Sequence, residues 1–489
     1  MKTLGLLLIF STVLALTVAC NNNNETPNNE TPTPTATQPA ATGDTTETTP
    51  EETPAPTMFH VNEPRDLGGR VIRHAARWDQ LGNIIGGYEE PDPATAANYA
   101  RDMQGWENQQ RVRRDFNVDF EQVVFEYEEM LPALTTHHLA GDPLGDWVFL
   151  SGSHMLPAIQ GAMILPISAY APPGSDLMTN RHYVMPVVEF RNDFWTFNRA
   201  EIDPDVELLG VNLDIINAVG APNPIDLYES GQWTWDAFLD IMRQASLGGY
   251  FGIATQPDNI LLHLMAANDA PMISPTFQYN FDHPNAVAAL EFASNIFGPE
   301  RLWHYDPADG LNTGNWARNF NSWTEGVAAF WNFVLWNVQH QRPSFEWGVV
   351  PWPMGPNNRS GNTWSANFPQ SFAIPVHVQN PDDVYVVLEE LLAWAWGDLD
   401  LLLEASLSWW RDHMPTEDDV QRMIKASEGR YIEMASSVRG YVGETEVGFT
   451  WVLGSFLDGF WNQSATLMEM IERERPPRQE LLDSVFGSN

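Results

Sequence analysis

Residues 118–125, VDFEQVVF, and residues 146–153, DWVFLSGS, decide how we expect this chain to fold. Each begins with a short run rich in valine, phenylalanine or tryptophan, which is typical of a buried strand. A helical pattern precedes the first run, at residues 98–116, and another separates the two runs, at 128–139. An earlier strand is expected at 70–77, RVIRHAAR, after a Gly-Gly turn. Strands that alternate with helices in this way predict a parallel sheet covered by helices.

Polar and aromatic side chains follow two of these strands, at the point where each strand ends. In open α/β sheets, ligands bind beyond the carboxyl ends of the strands. Residues in both loops are therefore candidate ligand contacts. The candidates are Arg77, Trp78 and Asp79 after the first strand, and Ser151, Ser153 and His154 after the third.

A second α/β unit is expected between about residues 205 and 355. The pattern predicts strands at 206–212, 251–254 and 347–351, and helices at 213–219, 231–246, 260–268, 284–296 and 324–336. Thr234 is a candidate N-cap residue for its helix. Residues 372–375 and 381–396 would return a strand and a helix to the first unit, and residues 417–483 are expected to be mostly helical.

The first 57 residues are expected to lie outside the fold. Residues 1–19 carry one cation, an apolar run and small residues, the pattern of a secretory signal peptide. Cys20, the only cysteine, comes next and resembles the cysteine that is acylated in bacterial lipoproteins. An ordinary signal peptide or a membrane anchor is the alternative, although the apolar run is short for a bilayer span. The polar composition of residues 20–57 predicts a disordered tether with a reach of roughly 35 Å.

The acidic composition excludes several classes of function. The formal net charge of −39 is opposite in sign to the cationic surface that binding to nucleic acid or to anionic lipid requires. No Gly-Lys-Ser/Thr phosphate loop is present, and no further run of 18 apolar residues follows the signal peptide. Twenty tryptophans supply flat apolar faces, which suit both a core and the binding of sugars.

Enzyme and metal sites are poorly supported by the sequence. Glu126, Glu128 and Glu129 could be glycosidase carboxylates, but a solvated helix face is the simpler interpretation. The adjacent pair His137 and His138 lacks the HExxH spacing that places two metal ligands on one helix face. There is also no Gly-x-Ser-x-Gly elbow and no second cysteine, so we expect no catalytic residue, no metal and no cofactor.

Five segments carry a recognisable order of motifs. They are 108–125 (NQQRVRRDFNVDFEQVVF), 141–167 (GDPLGDWVFLSGSHMLPAIQGAMILPI), 210–238 (GVNLDIINAVGAPNPIDLYESGQWTWDAF), 320–336 (FNSWTEGVAAFWNFVLW) and 348–355 (GVVPWPMG). Together they resemble the extracellular solute-binding proteins of ABC importers, in the sugar-binding group typified by maltose-binding protein. The Tyr-Asn pair that usually precedes the first helix of the family's second lobe is Val211-Asn212 here.

The resemblance implies an α/β fold in which two lobes form a periplasmic-binding-protein-like clamshell, each lobe a mostly parallel sheet flanked by helices. The first lobe would comprise residues 67–200 plus 370–412, and the second 205–355 plus 415–489. The implied function is non-catalytic: a monomer, held to the outer face of the cell membrane by a lipid on Cys20, closes around a carbohydrate and delivers it to an ABC permease.

Several aromatic residues could stack on a sugar, with core packing as the alternative for each. Trp336 aligns with a sugar-stacking tryptophan of the family, and Trp331 and Asn332 lie one turn earlier on the expected helix. The resemblance implies hinge segments near 195–208, 356–372 and 410–416, and Trp195 and Trp364 lie within the first two. A secreted carbohydrate-active hydrolase and a binding protein for peptides or signalling ligands are the alternative functions.

Overall fold

In the computed structural model, the described residues all belong to one unit, residues 58–489. They are 60–77, 90–94, 99–175, 177, 184–199, 206–255, 257–304, 321–334, 342–367, 370–395, 398–428, 430–433, 435–442 and 445–487. The expected signal peptide, Cys20 and the expected tether lie outside these residues.

The first lobe is built on a mixed sheet of six strands. They are β1 (Arg70–Ala76), β2 (Val118–Val124), β3 (Trp147–Leu150), β4 (Val184–Phe190), β5 (Asp193–Arg199) and β11 (Ser371–Ala373). Their order is β2-β1-β3-β11-β5-β4. β1 pairs in parallel with β2 and β3, as the alternation of strands and helices predicts. The β4–β5 hairpin is antiparallel, and β11, which returns from the second lobe, is antiparallel to both β3 and β5.

The second lobe is built on a mixed sheet of four strands. They are β6 (Glu207–Asn212), β7 (Phe251–Ala254), β8 (Ala328–Val334) and β9 (Trp347–Val350). Their order is β7-β8-β6-β9. β7 and β8 are parallel, whereas β6 is antiparallel to both β8 and β9.

Helices surround both sheets, and four further strands of four residues each lie outside the two sheets. The helices are α1 (Tyr99–Phe116), α2 (Tyr127–Ala140), α3 (Gly152–Gln160), α4 (Leu213–Val219), α5 (Pro224–Glu229), α6 (Trp235–Leu247), α7 (Pro257–Ala266), α8 (Pro284–Phe297), α9 (Pro381–Leu392), α10 (Leu399–His413), α11 (Glu417–Glu428), α12 (Thr450–Asn462) and α13 (Leu467–Phe486). Strand β10 (Trp364–Asn367) pairs in parallel with β12 (Arg430–Glu433). Strands β13 (Arg439–Val442) and β14 (Thr445–Gly448) form an antiparallel pair.

One predicted helix is wrong. Residues 324–336 were expected to be helical, but residues 328–334 form the central strand β8. Gly326 takes a left-handed φ of 68°, which favours glycine and interrupts helical backbone. The four residues that follow Val327 are all buried, and pairing with β6 and β7 satisfies the strand's backbone on both sides. The segment 417–483 is mostly helical, as expected, although the short strands β12, β13 and β14 interrupt it.

The side chains of β3 alternate between two hydrophobic cores. Trp147 and Phe149 belong to a core within the first lobe, which α1 and α9 cover. Val148 and Leu150 belong to a second core, which continues through α3 into the second lobe. This alternation is what the two-residue period of a strand requires when helices cover both faces of a sheet.

The chain passes between the lobes at one edge of each sheet. Ser371, at the start of β11, pairs with Leu150, at the carboxyl end of β3. β5 runs in the same direction as β3, since both are antiparallel to β11, so its last residue, Arg199, lies at this same edge. In the second sheet, Glu207 at the start of β6 pairs with Val334 at the carboxyl end of β8. The crossings therefore join the carboxyl edges of the two sheets.

Candidate functional site

Four side chains meet at the carboxyl edge of the first sheet, and we call them the Tyr127 cluster. The guanidinium carbon of Arg77 lies 5.1 Å from the centroid of the Tyr127 ring. The His154 ring lies against the same tyrosine, with 4.7 Å between centroids and 36° between planes. The Tyr127 hydroxyl is hydrogen-bonded to the Ser153 hydroxyl. The cluster combines an apolar ring face with a cation, an imidazole and hydroxyl groups.

Helix capping fixes this cluster in place. Glu126 is the N-cap residue of α2, and its backbone N–H donates to the Glu129 carboxylate at 3.2 Å in a capping box. Tyr127 is therefore held at the first helical position, three residues after the end of β2. Ser151 takes the extended N-cap conformation of α3, so Ser153 and His154 project from the first turn of that helix. The acidic run 126–129 thus caps a helix, in agreement with its structural interpretation.

A second group of polar and aromatic side chains lies at the carboxyl edge of the second sheet, and we call it the Glu207 cluster. The Glu207 carboxylate lies 2.7 Å from Nε2 of His263, which belongs to α7 and is fully buried. Nδ2 of Asn332 on β8 lies 3.5 Å from the same carboxylate oxygen. The ring of Trp352, two residues beyond β9, packs on His263 with 4.6 Å between centroids.

Two polar atoms of the Glu207 cluster are buried without a hydrogen-bond partner among the described residues. They are Oδ1 of Asn332, whose residue is 6% exposed, and Nε1 of Trp352, whose residue is 1% exposed. A buried donor or acceptor that stays unpaired costs about 1–3 kcal/mol. One acceptor and one donor are therefore available here for the hydroxyl groups of a ligand or for water.

The structure brings together three of the six predicted loop contacts. Arg77, Ser153 and His154 all belong to the Tyr127 cluster, while Ser151 serves as the N-cap residue beside them. Trp78 and Asp79 lie outside the described residues.

Two of the predicted tryptophan contacts, Trp331 and Trp364, are core residues. Trp331 is 2% exposed and stacks on Trp323, with 5.5 Å between centroids, so it is a core residue on a strand rather than on a helix. Asn332, next to it, points to the opposite face of β8 and joins the Glu207 cluster. Trp364 is fully buried, and its Nε1 donates to the Ala426 carbonyl at 2.9 Å.

The remaining two predicted tryptophans lie elsewhere. Trp195 is half-buried on β5, and its Nε1 donates to the Phe190 carbonyl at 2.9 Å. It is therefore not part of either cluster. Trp336 lies outside the described residues, so its alignment with a sugar-stacking tryptophan stays a prediction.

Four residues of the two clusters were missed by the sequence analysis: Tyr127, Glu207, His263 and Trp352. Tyr127 stands in an acidic stretch that resembles a solvated helix face, but its position after a strand was a usable signal. The other three come from a strand, a helix and a loop and meet only when the second lobe folds. Glu207 is 56 positions from His263 and 125 from Asn332, and no local pattern reports such contacts.

Metal binding and membrane insertion gain no support from the described part of the chain. It contains no group of three or more His, Cys, Asp or Glu side chains arranged to hold a metal ion. Within the same residues, none of the helices combines the length and apolarity that a bilayer crossing needs.

Sequence comparison finds no relative: no known family profile matches the chain, and no curated protein matches it. The fold, however, is similar to that of several solved binding proteins. One is the cyclic α-maltosyl-1,6-maltose binding protein of Arthrobacter globiformis, at a TM-score of 0.57 and 11% identity, with 85% of this chain and 100% of that chain covered.

Two further structures give the same result. The galacto-N-biose-/lacto-N-biose I-binding protein of a Bifidobacterium longum ABC transporter, in complex with lacto-N-biose, has a TM-score of 0.56 at 14% identity, covering 86% of this chain and 98% of that one. An ABC substrate-binding protein of Listeria monocytogenes, in complex with cycloalternan, has a TM-score of 0.55 at 11% identity, covering 86% and 100%. The chain therefore has the two-lobed α/β fold of the solute-binding proteins of ABC importers, the group that its sequence motifs resemble.

Proposed function

We propose that this protein is an extracytoplasmic receptor that binds a mono- or oligosaccharide between its lobes and delivers it to an ABC importer. One observation carries the proposal: the Tyr127 and Glu207 clusters occupy the carboxyl edges of the two sheets, and the crossings join these same edges. A ligand held between the edges would touch both lobes. It could then favour the closed state over the open one, since only differential contact shifts such an equilibrium.

The chemistry of the two clusters suits a sugar. A sugar ring has apolar C–H faces, which stack on aromatic rings, and a rim of hydroxyl groups, which both donate and accept hydrogen bonds. The Tyr127 cluster offers a ring face beside a cation and hydroxyl groups. The Glu207 cluster offers a carboxylate, an amide oxygen and an indole N–H within a buried setting. Neither cluster places two carboxylates across a common space, so we propose binding without hydrolysis.

The anchoring and the domain boundaries are part of the same proposal. Residues 1–19 would be removed as a signal peptide, Cys20 would carry a lipid on the outer face of the cell membrane, and residues 20–57 would tether the body. The first lobe would comprise 67–200 plus 370–412, and the second 205–355 plus 415–489. Replacement of Cys20 by serine should move the protein from the membrane fraction to the soluble fraction of fractionated cells.

A thermal-shift screen tests the binding function. The purified protein is heated with a panel of mono- and oligosaccharides and, in parallel, with a panel of short peptides. A specific sugar present at 100 times its Kd stabilises the native state by about 2.7 kcal/mol, which raises the melting temperature by several degrees. A response to peptides alone would contradict the carbohydrate proposal. Release of reducing ends from a sugar that binds would contradict the non-catalytic proposal.

A further inference from the structure

We propose that the ligand is an amino sugar, bound with its protonated amine at the Glu207 cluster. The proposal rests on the proposed function, since it names the class of sugar that the receptor takes. Three side chains carry it: Glu207 on β6, Asn332 on β8 and Trp352 beyond β9. Together they offer a ligand more hydrogen-bond acceptors than donors, and one of the acceptors is charged.

One oxygen of the Glu207 carboxylate is open to a ligand. Nε2 of His263 lies 2.7 Å from Oε2 of Glu207, and Nδ2 of Asn332 lies 3.5 Å from the same oxygen. Within the described part of the chain, no hydrogen-bond donor is paired with Oε1, and no arginine or lysine is paired with the carboxylate. The side chain is 21% exposed, so a ligand can reach the carboxylate.

The second acceptor is Oδ1 of Asn332. Only the N–H group of this amide suits a position next to a carboxylate oxygen, because two oxygens would repel each other. The amide nitrogen therefore faces Glu207, and Oδ1 stays buried and unpaired among the described residues. Since Asn332 is only 6% exposed, an unpaired Oδ1 is costly unless a ligand or water donates to it.

A protonated amine matches these acceptors better than a hydroxyl group does. A hydroxyl donates one hydrogen bond, whereas an ammonium group donates three and accepts none. One ammonium group can therefore serve the Glu207 carboxylate and the Asn332 amide, and it also compensates the charge of the carboxylate. Hydrogen bonds between two charged groups are roughly twice as strong as neutral ones. Nε1 of Trp352, which is unpaired among the described residues, can donate to a hydroxyl group of the same sugar.

Charges elsewhere in the protein favour a cationic ligand in this orientation. The formal net charge of −39 attracts a cation and repels an anion, and salt weakens this attraction. At the edge of the first sheet, Arg77 places a positive charge beside the Tyr127 ring. The ammonium group is therefore expected at the edge of the second sheet, and the neutral part of the sugar at the edge of the first.

Matched sugars test the proposal on the parent protein. Calorimetric titration gives the Kd of glucosamine, galactosamine, mannosamine and the β-1,4-linked glucosamine disaccharide, each beside its N-acetylated form and its hydroxyl form. The three members of a set differ at one substituent on each ring: an ammonium, an acetamide or a hydroxyl group. The best amino sugar should bind at least about tenfold more tightly than its two neutral counterparts. Its Kd should rise with salt concentration, whereas the Kd of the neutral sugars should not.

A variant separates the charge of Glu207 from its shape. Glu207→Gln removes the negative charge, while the amide oxygen that remains can still accept a hydrogen bond from His263. The preference for the amino sugar over its hydroxyl form should fall at least about tenfold in this variant. Glu472→Gln, at an exposed position of α13, removes the same charge from the second lobe. It is the matched control and should keep the preference of the parent protein.

A neutral sugar that binds the parent protein as tightly as every amino sugar would overturn this proposal and leave the carbohydrate receptor standing. An amine preference that survives in Glu207→Gln would overturn it as well, because the amine would then lie elsewhere. No response to any sugar would contradict the receptor function and this proposal with it. Circular dichroism confirms that each variant is folded, and the sugar comparison on the parent protein decides the question if Glu207→Gln is not.

Discussion

Replacement of Arg111 by methionine should destabilise the protein far more than replacement of Arg113, two residues further along the same helix. Arg111 of α1 is 1% exposed, and its Nη2 lies 2.8 Å from Oε2 of Glu390 on α9, which is fully buried. Asn108 also accepts from Arg111 at 2.7 Å and donates to the Glu390 backbone carbonyl at 2.9 Å. Arg113 instead forms an ion pair with Asp119, whose side chain is 62% exposed.

The two ion pairs differ in what is left behind when the arginine is removed. Arg111→Met leaves the buried Glu390 carboxylate without the guanidinium and with only the Asn62 amide and the His60 imidazole, 3.6 Å away, as partners, which costs up to about 3–5 kcal/mol. Arg113→Met leaves Asp119 in water, and a surface pair of this kind contributes about 0–1 kcal/mol. The double variant Arg111→Met with Glu390→Leu should recover most of the loss, since a well-packed apolar pair often replaces a buried ion pair without a net cost.

Urea unfolding of the four proteins, followed by tryptophan fluorescence, gives the free energies of unfolding. We predict a large loss for Arg111→Met, a loss below about 1 kcal/mol for Arg113→Met and recovery in the double variant. Equal losses for the two single variants would refute it. The result also bears on the domain organisation, because this ion pair joins α1 to a helix nearly 300 residues later in the chain.

Three further predictions concern stability. Burial lowers the pKa of His74 to about 3, so the native state keeps this imidazole neutral, whereas the unfolded state protonates it below about pH 6.5. The native state therefore loses stability as the pH falls from 7 to 5. His74→Leu should reduce this loss by about 2 kcal/mol, measured as the free energy of urea unfolding at the two pH values. Thr466→Ala removes the N-cap hydroxyl of α13, which accepts a hydrogen bond from the Glu469 backbone N–H at 3.3 Å, and should cost about 1 kcal/mol in the same assay. Gly252→Ala would place a methyl group 2.8 Å from the Leu302 carbonyl and 2.7 Å from Met242, and should lower the melting temperature in calorimetry, with a cost of about 1–3 kcal/mol.

Local signals predicted most of the first lobe and the start of the second. The strands at 70–77 and 118–125 matched their observed bounds within one residue, because β-branched and aromatic runs stand between clear helical patterns. Helix α6 begins at Trp235 as predicted, since Thr234 accepts a hydrogen bond from the Ala237 N–H at 3.4 Å. These features depend on neighbours within a few residues, which a single sequence displays.

Features that depend on distant partners were not predictable in the same way. Residues 328–334 are small or aromatic and fit a buried helix as well as a strand, and pairing with β6 and β7 decides between the two. The Tyr127 cluster was largely found, because each of its members follows the end of a strand. Of the Glu207 cluster only Asn332 was predicted, because Glu207, His263 and Asn332 are 56 or more positions apart in the sequence and meet only when the second lobe folds.

The most direct test of the proposed receptor is whether one bound sugar depends on both clusters. Tyr127→Ala and Asn332→Ala each remove a side chain from one sheet edge, and calorimetric titration with the sugar that raises the melting temperature most gives the Kd of each. We predict that both variants bind at least about tenfold more weakly than the parent protein, whereas Tyr228→Ala, a ring remote from both clusters beneath Lys425, binds as the parent does. Unchanged affinity in either cluster variant, with the fold intact, would contradict binding between the two lobes.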